Sequence, residues 1–210
     1  MPTWWRIVRV CVPLALFHSA LASRQAKDLA ACVAGRRRRN GLYRTAYVGQ
    51  SLVTFAWLYR WLRGLPDRPL YDLEAPAAWL ARAGQAVAFV AGFESARSVG
   101  ILEFNGAAQL EAFVAGRDPA PEPEAQGPRL GPDGEMLATG PFAFVRHPAN
   151  LSAAVLLLCD PHMSERKLTT ALLATAYACL GSLHEERRLL RAYGDAYARY
   201  QRRVRFLVPG

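Results

Sequence analysis

Two short stretches carry the residues best suited to chemistry. The first is Thr139-Gly140-Pro141-Phe142-Ala143-Phe144-Val145-Arg146-His147-Pro148. Gly-Pro marks a turn, and Pro148 suits the first turn of a helix, where its missing N–H does no harm. Arg146 and His147 then stand at a helix N-terminus, whose free N–H groups and positive dipole end attract an anion. The arginine adds a bidentate clamp for a carboxylate. The plainer alternative is a headgroup-anchoring arginine beside a capping histidine.

The second stretch is His184-Glu185-Glu186, at the end of an apolar run. Two adjacent carboxylates there are costly to desolvate unless a cation pairs with them. That cation is either a ligand or the arginines Arg187 to Arg191 of a salt-bridged helix start. Asp160-Pro161-His162 marks a short turn between the two apolar segments that follow Arg146 and precede Glu185. A short turn predicts an antiparallel hairpin, which brings both stretches to one end. An Arg/His anion site would then face a Glu/Glu cation site. That pairing suits a zwitterion with an α-carboxylate and an α-amine, carried beside a sulfonium.

The elements that must position these residues follow from the charge pattern. The chain has 210 residues, 52% hydrophobic and 20% charged, with a formal net charge of +9. Its mean hydropathy of +0.03 resembles a soluble domain, but the charges are unevenly placed. Segments 10–23, 45–59, 83–93, 147–159 and 168–184 lack Asp, Glu, Lys and Arg. Each is shorter than the ~20 residues that span a bilayer, and end residues such as Arg9, Arg60 and Arg82 extend them by snorkelling. Trp4, Trp5, Trp57, Trp61 and Trp79 lie near segment ends, as a membrane interface favours. Residues 24–44 and the tail from 185 are strongly basic, whereas 60–75 is balanced. The positive-inside rule then predicts five spans with the C-terminus in the cytoplasm; Arg6 and Arg9 run against the implied outside N-terminus.

The predicted fold is therefore an all-α, polytopic membrane bundle of about five transmembrane helices with a cytoplasmic C-terminal amphipathic helix. Its parts are three N-terminal spans (1–115), a Pro/Gly-rich cytoplasmic loop (116–135) and a helical hairpin with the C-terminal helix (136–210). The tail repeats Leu189, Leu190, Tyr193, Tyr197, Tyr200 and Val204 at spacings of three and four, the pattern of a helix lying on a membrane surface. The run Arg36–Arg39 reads as an anchor at a membrane boundary rather than a nucleic-acid patch, because apolar segments flank it and no stacking platform accompanies it. Cys11, Cys32, Cys159 and Cys179 include no CxxC pair and imply neither a zinc knuckle nor a disulfide framework. No His/Cys/Asp cluster has metal-ligand spacing. A retained first helix fits the N-terminus better than a removed signal peptide.

The order Gly140-Pro141-Phe142-x-x-x-Arg146-His147-Pro148, an apolar hairpin, then Glu185-Glu186-x-x-Leu189-x-x-x-Tyr193-Gly194-x-x-Tyr197-x-x-Tyr200-x-x-x-Val204 with Pro209 closing, resembles the isoprenylcysteine carboxyl methyltransferase-like family. Phospholipid N-methyltransferases and methanethiol S-methyltransferases resemble that family too. The match covers roughly residues 136–210. It implies an integral membrane methyltransferase that uses S-adenosyl-L-methionine, acts on a small or lipophilic acceptor (thiol, carboxylate or amine), and sits in the bacterial inner membrane with its site facing the cytoplasm. Residue by residue, Leu137, Phe142, His147, Pro148, Ala149, Asn150, Glu185 and Glu186 fall on cofactor-binding positions, and Arg146 is the arginine set apart for catalysis. No metal and no nucleic acid are implied.

The pattern departs from the family at Asn150 and Ser152, where relatives commonly have Tyr and Gly. It departs again at Ser182, where some relatives carry a substrate-binding Arg. Two rival readings follow: a membrane reductase of the sterol-reductase type, and a non-catalytic membrane assembly protein with a degenerate pocket.

Overall fold

A computed structural model describes residues 1–122 and 127–207; Pro209 and part of the Pro/Gly-rich loop lie outside the described residues. Among the described residues the regular structure is helical apart from two short strands. In order the chain forms α1 (Thr3–Ala22), α2 (Arg24–Ala34), α3 (Arg36–Arg63), β1 (Pro69–Asp72), α4 (Ala77–Val99), α5 (Ile101–Asn105), α6 (Ala107–Val114), a 3-10 turn (Gly140–Ala143), α7 (Pro148–Leu158), β2 (His162–Ser164) and α8 (Glu165–Arg203).

One compact unit comprises residues 1–66 and 100–123. Ser23 caps α2 by accepting from the Ala26 N–H at 3.2 Å, a common helix start. The basic stretch 24–44 is thus helical, and Arg36–Arg39 forms the first turn of α3. Gly41 lets α6 lie against α3, since a Cβ there would stand 2.6 Å from Phe113. Glu122 takes both Lys27 and Arg44 at 2.9 Å.

The other unit comprises residues 67–99 and 124–210. Here α4 packs on α7: a Cβ at Gly92 would meet Ser152 at 3.1 Å, and Gln85 donates to the Leu156 carbonyl at 2.7 Å. The predicted α7–α8 hairpin is present. Its turn contains β2, which pairs antiparallel with β1, Asp72 opposite His162. Helix α8 is interrupted at Gly194, with φ 51° and ψ −126°. Beyond that kink the chain folds back, and Leu189, Tyr197, Tyr200, Val204 and Met136 form a buried cluster. The apolar stripe expected on a membrane surface is therefore largely the core of this unit.

The five-span count is not confirmed. Among the described residues one helix, α1, is long and apolar enough to cross a membrane. The apolar segment 147–159 becomes the 11-residue α7, about 17 Å long, against a hydrocarbon core of about 30 Å. His147 and Pro148 set its start and Asp160-Pro161 follows its end, which is why it is short. The other three segments lie within α3, α4 and α8, longer helices whose charged residues lower their apolarity. Large apolar side chains nevertheless stand exposed along α1, α3 and α4, among them Leu16, Phe17, Leu52, Val53, Val87 and Phe89.

Candidate functional site

The site starts at the turn preceding α7. Gly140 takes φ 56°, a left-handed value that suits glycine. The Pro141 carbonyl accepts from the Phe144 and Val145 N–H groups at 3.2 and 3.3 Å. Phe142 is buried, and its carbonyl accepts from the Tyr200 hydroxyl at 2.7 Å. The Arg146 N–H donates to the Arg205 carbonyl at 2.8 Å, tying the turn to the end of α8. His147 is the residue before the first helical position and Pro148 occupies that position, as the sequence suggested.

The two chemical stretches meet in direct contact. Arg146 Nε and Nη2 donate to Glu186 Oε1 and Oε2 at 2.9 and 3.1 Å, the paired geometry of a bidentate arginine–carboxylate bond. Arg146 Nη1 donates to the carbonyls of Gln201 and Val204 at 3.1 and 2.5 Å. His147 Nε2 lies 2.8 Å from Glu186 Oε1, and its Nδ1 lies 3.5 Å from Glu185 Oε2. Two further donors reach Glu186: the Tyr197 hydroxyl at 2.7 Å on Oε1, and the Gln201 amide on Oε2. Phe206 sets its ring edge-on to His147, with centroids 5.1 Å apart.

The electrostatics follow from this geometry. Burial alone raises the pKa of Glu186, but hydrogen bonds from His147, Arg146, Tyr197 and Gln201 outweigh it and hold the carboxyl far below the usual carboxylate range. Burial, with the Glu186 charge beside it, pushes the Tyr197 phenol well above its ordinary value, so it stays protonated and donates.

Arg146, His147, Glu185 and Glu186 are thus brought together. Phe142 joins through Tyr200, and Pro148 is buried next to His147. Asn150 donates to the buried Ser182 hydroxyl at 2.7 Å, so two of the departures from the family pattern contact each other. Leu137 and Ala149 present exposed side chains. Tyr197 and Gln201 are the functional candidates that sequence reasoning missed. Tyr197 stood in the tail motif, but helical spacing assigned it to a surface stripe; Gln201 carried no signal. Beside the network lies a wide-mouthed cavity of about 560 Å³ lined by Arg146, Gln201, Arg202, Arg205 and Phe206, among others.

The chain is similar to proteins named methanethiol S-methyltransferases. The chain is 28% identical over 167 residues to methanethiol S-methyltransferase 1 of Bradyrhizobium diazoefficiens, covering 79% of this chain and 54% of that protein. It is 31% identical over 159 residues to methanethiol S-methyltransferase 2 of the same organism, covering 76% and 56%. It is 40% identical over 68 residues to the methanethiol S-methyltransferase of Mycobacterium tuberculosis, covering 32% and 28%. These relatives bear out the methyltransferase resemblance drawn from the Arg146 and Glu186 motifs, and they do not favour the reductase or assembly readings. The chain spans about half the length of the two Bradyrhizobium relatives it matches. No family model and no solved structure matches it.

Proposed function

We propose that this protein transfers a methyl group from S-adenosylmethionine to a small or lipophilic acceptor, a small thiol in the first instance. One observation carries the reading: Arg146, His147, Glu185 and Glu186 converge beside a cavity in a chain similar to proteins named methanethiol S-methyltransferases. The donor set fits the cofactor. Arg146 and His147 offer positive charge to its carboxylate, Glu185 and Glu186 offer negative charge to its amine, and Phe206 offers an apolar surface. Bound S-adenosylmethionine supplies an electrophilic methyl group on a sulfonium.

The residues' task is then alignment and exclusion of water, since methyl transfer is an in-line displacement. A thiol acceptor would react as its thiolate: its proton would pass to solvent, its sulfur would bond the methyl carbon, and S-adenosylhomocysteine would leave as the neutral thioether. The exposed apolar faces of α1, α3 and α4 support immersion in a bilayer, more readily than water would accept them. We read this as the bacterial inner membrane, with about five spans and the site on the cytoplasmic side. The test is incubation of purified protein with S-adenosylmethionine and methanethiol, followed by headspace chromatography. Dimethyl sulfide above the level of a heat-killed control is expected; absence of the corresponding methyl thioether with methanethiol and every other small thiol tried overturns the acceptor assignment.

A further inference from the structure

The geometry points to Tyr197 and Gln201 as positioning residues that act through Glu186 on Arg146 and His147. This rests on the methyl-donor reading above and adds two residues that support its acidic pair. A carboxylate has about four lone-pair sites. Glu186 receives five donors: two from Arg146, and one each from His147, Tyr197 and Gln201. These donors reach it from both sides of the Gly194 kink. The cavity has the same arrangement, since Arg146 and Gln201 line it and Glu186 does not. Glu186 stands behind the wall and fixes the groups that form it. Glu185, with a quarter of its side chain exposed against a tenth for Glu186, is the more accessible carboxylate.

The direction of control follows. Tyr197 and Gln201 lie past the Gly194 kink, and Glu186, Arg146 and His147 lie before it. Glu186 joins the two sides, so loss of the Tyr197 hydroxyl should loosen Arg146 and His147 without removing any group that meets the ligand. Positioning through an intermediate has a signature: its loss is felt only while the intermediate is present.

Calorimetric titration with S-adenosylhomocysteine reads this out on the full chain in detergent. Wild type, Tyr197→Phe, Glu186→Gln and the double variant form a cycle. Tyr197→Phe alone is expected to weaken binding three- to tenfold, and to have less than a twofold effect in the Glu186→Gln background. In turnover with a thiol acceptor, Tyr197→Phe is expected to raise the KM for S-adenosylmethionine and leave kcat within twofold. A general packing defect would lower kcat as well. If Glu186→Gln does not fold, Tyr197→Phe and Gln201→Ala form the cycle instead, with a combined loss smaller than the separate losses together. Binding by wild type with Tyr197→Phe and Gln201→Ala both at wild-type affinity overturns the positioning role alone. Equal losses with and without Glu186 overturn it too. Failure of folded wild type to bind overturns the donor reading itself, and this inference with it.

Discussion

The Tyr197 hydroxyl donates to Glu186 Oε1 at 2.7 Å although the two residues are eleven apart on one long helix. On a straight helix eleven residues rise about 16 Å, so the bond requires a reversal between them. Gly194 supplies it, with φ 51° and ψ −126°. The contacts of Tyr197 and Gln201 with Glu186 depend on that one backbone conformation.

Substituting Gly194 tests the dependence. An added Cβ would meet nothing within 4 Å, so Gly194→Ala adds backbone strain without a clash. The expected cost is about 1–3 kcal/mol. Thermal unfolding in detergent should show a midpoint lowered by several degrees, together with weaker cofactor binding. An unchanged midpoint would mean that the reversal tolerates a side chain.

The buried ion pair is expected to be expensive to break on one side only. Glu186→Ala leaves Arg146, which is mostly buried, without its carboxylate, and such losses cost about 3–5 kcal/mol. Glu186→Gln keeps the shape and should cost less. Chemical denaturation of both variants ranks them, and equal stability of Ala and wild type would refute the burial argument.

The pH dependence has a definite sign. The folded state holds Glu186 below the usual carboxylate range, so this group stabilises the fold above its unfolded pKa of about 4.3. That contribution is lost progressively as pH falls below this value toward the folded pKa. The wild-type unfolding midpoint should therefore fall more steeply below pH 5 than that of Glu186→Gln. Parallel curves would show that another carboxylate dominates.

Asn150 and Ser182 give an independent check on the α7–α8 contact. Asn150→Ala removes the donor from the buried Ser182 hydroxyl, at an expected cost of about 1 kcal/mol. Because the two side chains share one bond, Asn150→Ala with Ser182→Ala should cost less than the separate losses combined. Strict additivity would argue that the bond contributes nothing.

Much of this arrangement was legible in the sequence, and particular residues show why. Pro148 and Asp160-Pro161 punctuate the chain so plainly that the α7–α8 hairpin, and the meeting of Arg146 and His147 with Glu185 and Glu186 at one end, follow from spacing. The fold-back of Tyr197 does not. Helical periodicity runs unbroken through Gly194, so Leu189 and Tyr197 read as one stripe facing outward; only the glycine's backbone angles turn that stripe into a core. The partnership of α4 with α7 was hidden for another reason. Gly92 and Ser152 carry no distinctive chemistry, and their contact depends on small size alone. At 147–159 freedom from charge was visible but the length of the helix, 11 residues, was not.

The most direct test of the central claim is equilibrium binding of S-adenosylhomocysteine to purified, folded protein in detergent, compared with Arg146→Ala. Saturable one-to-one binding by wild type, reduced at least tenfold in the variant, is the expected result. No binding by wild type, or equal binding by both proteins, would contradict the assignment of this site to the methyl donor.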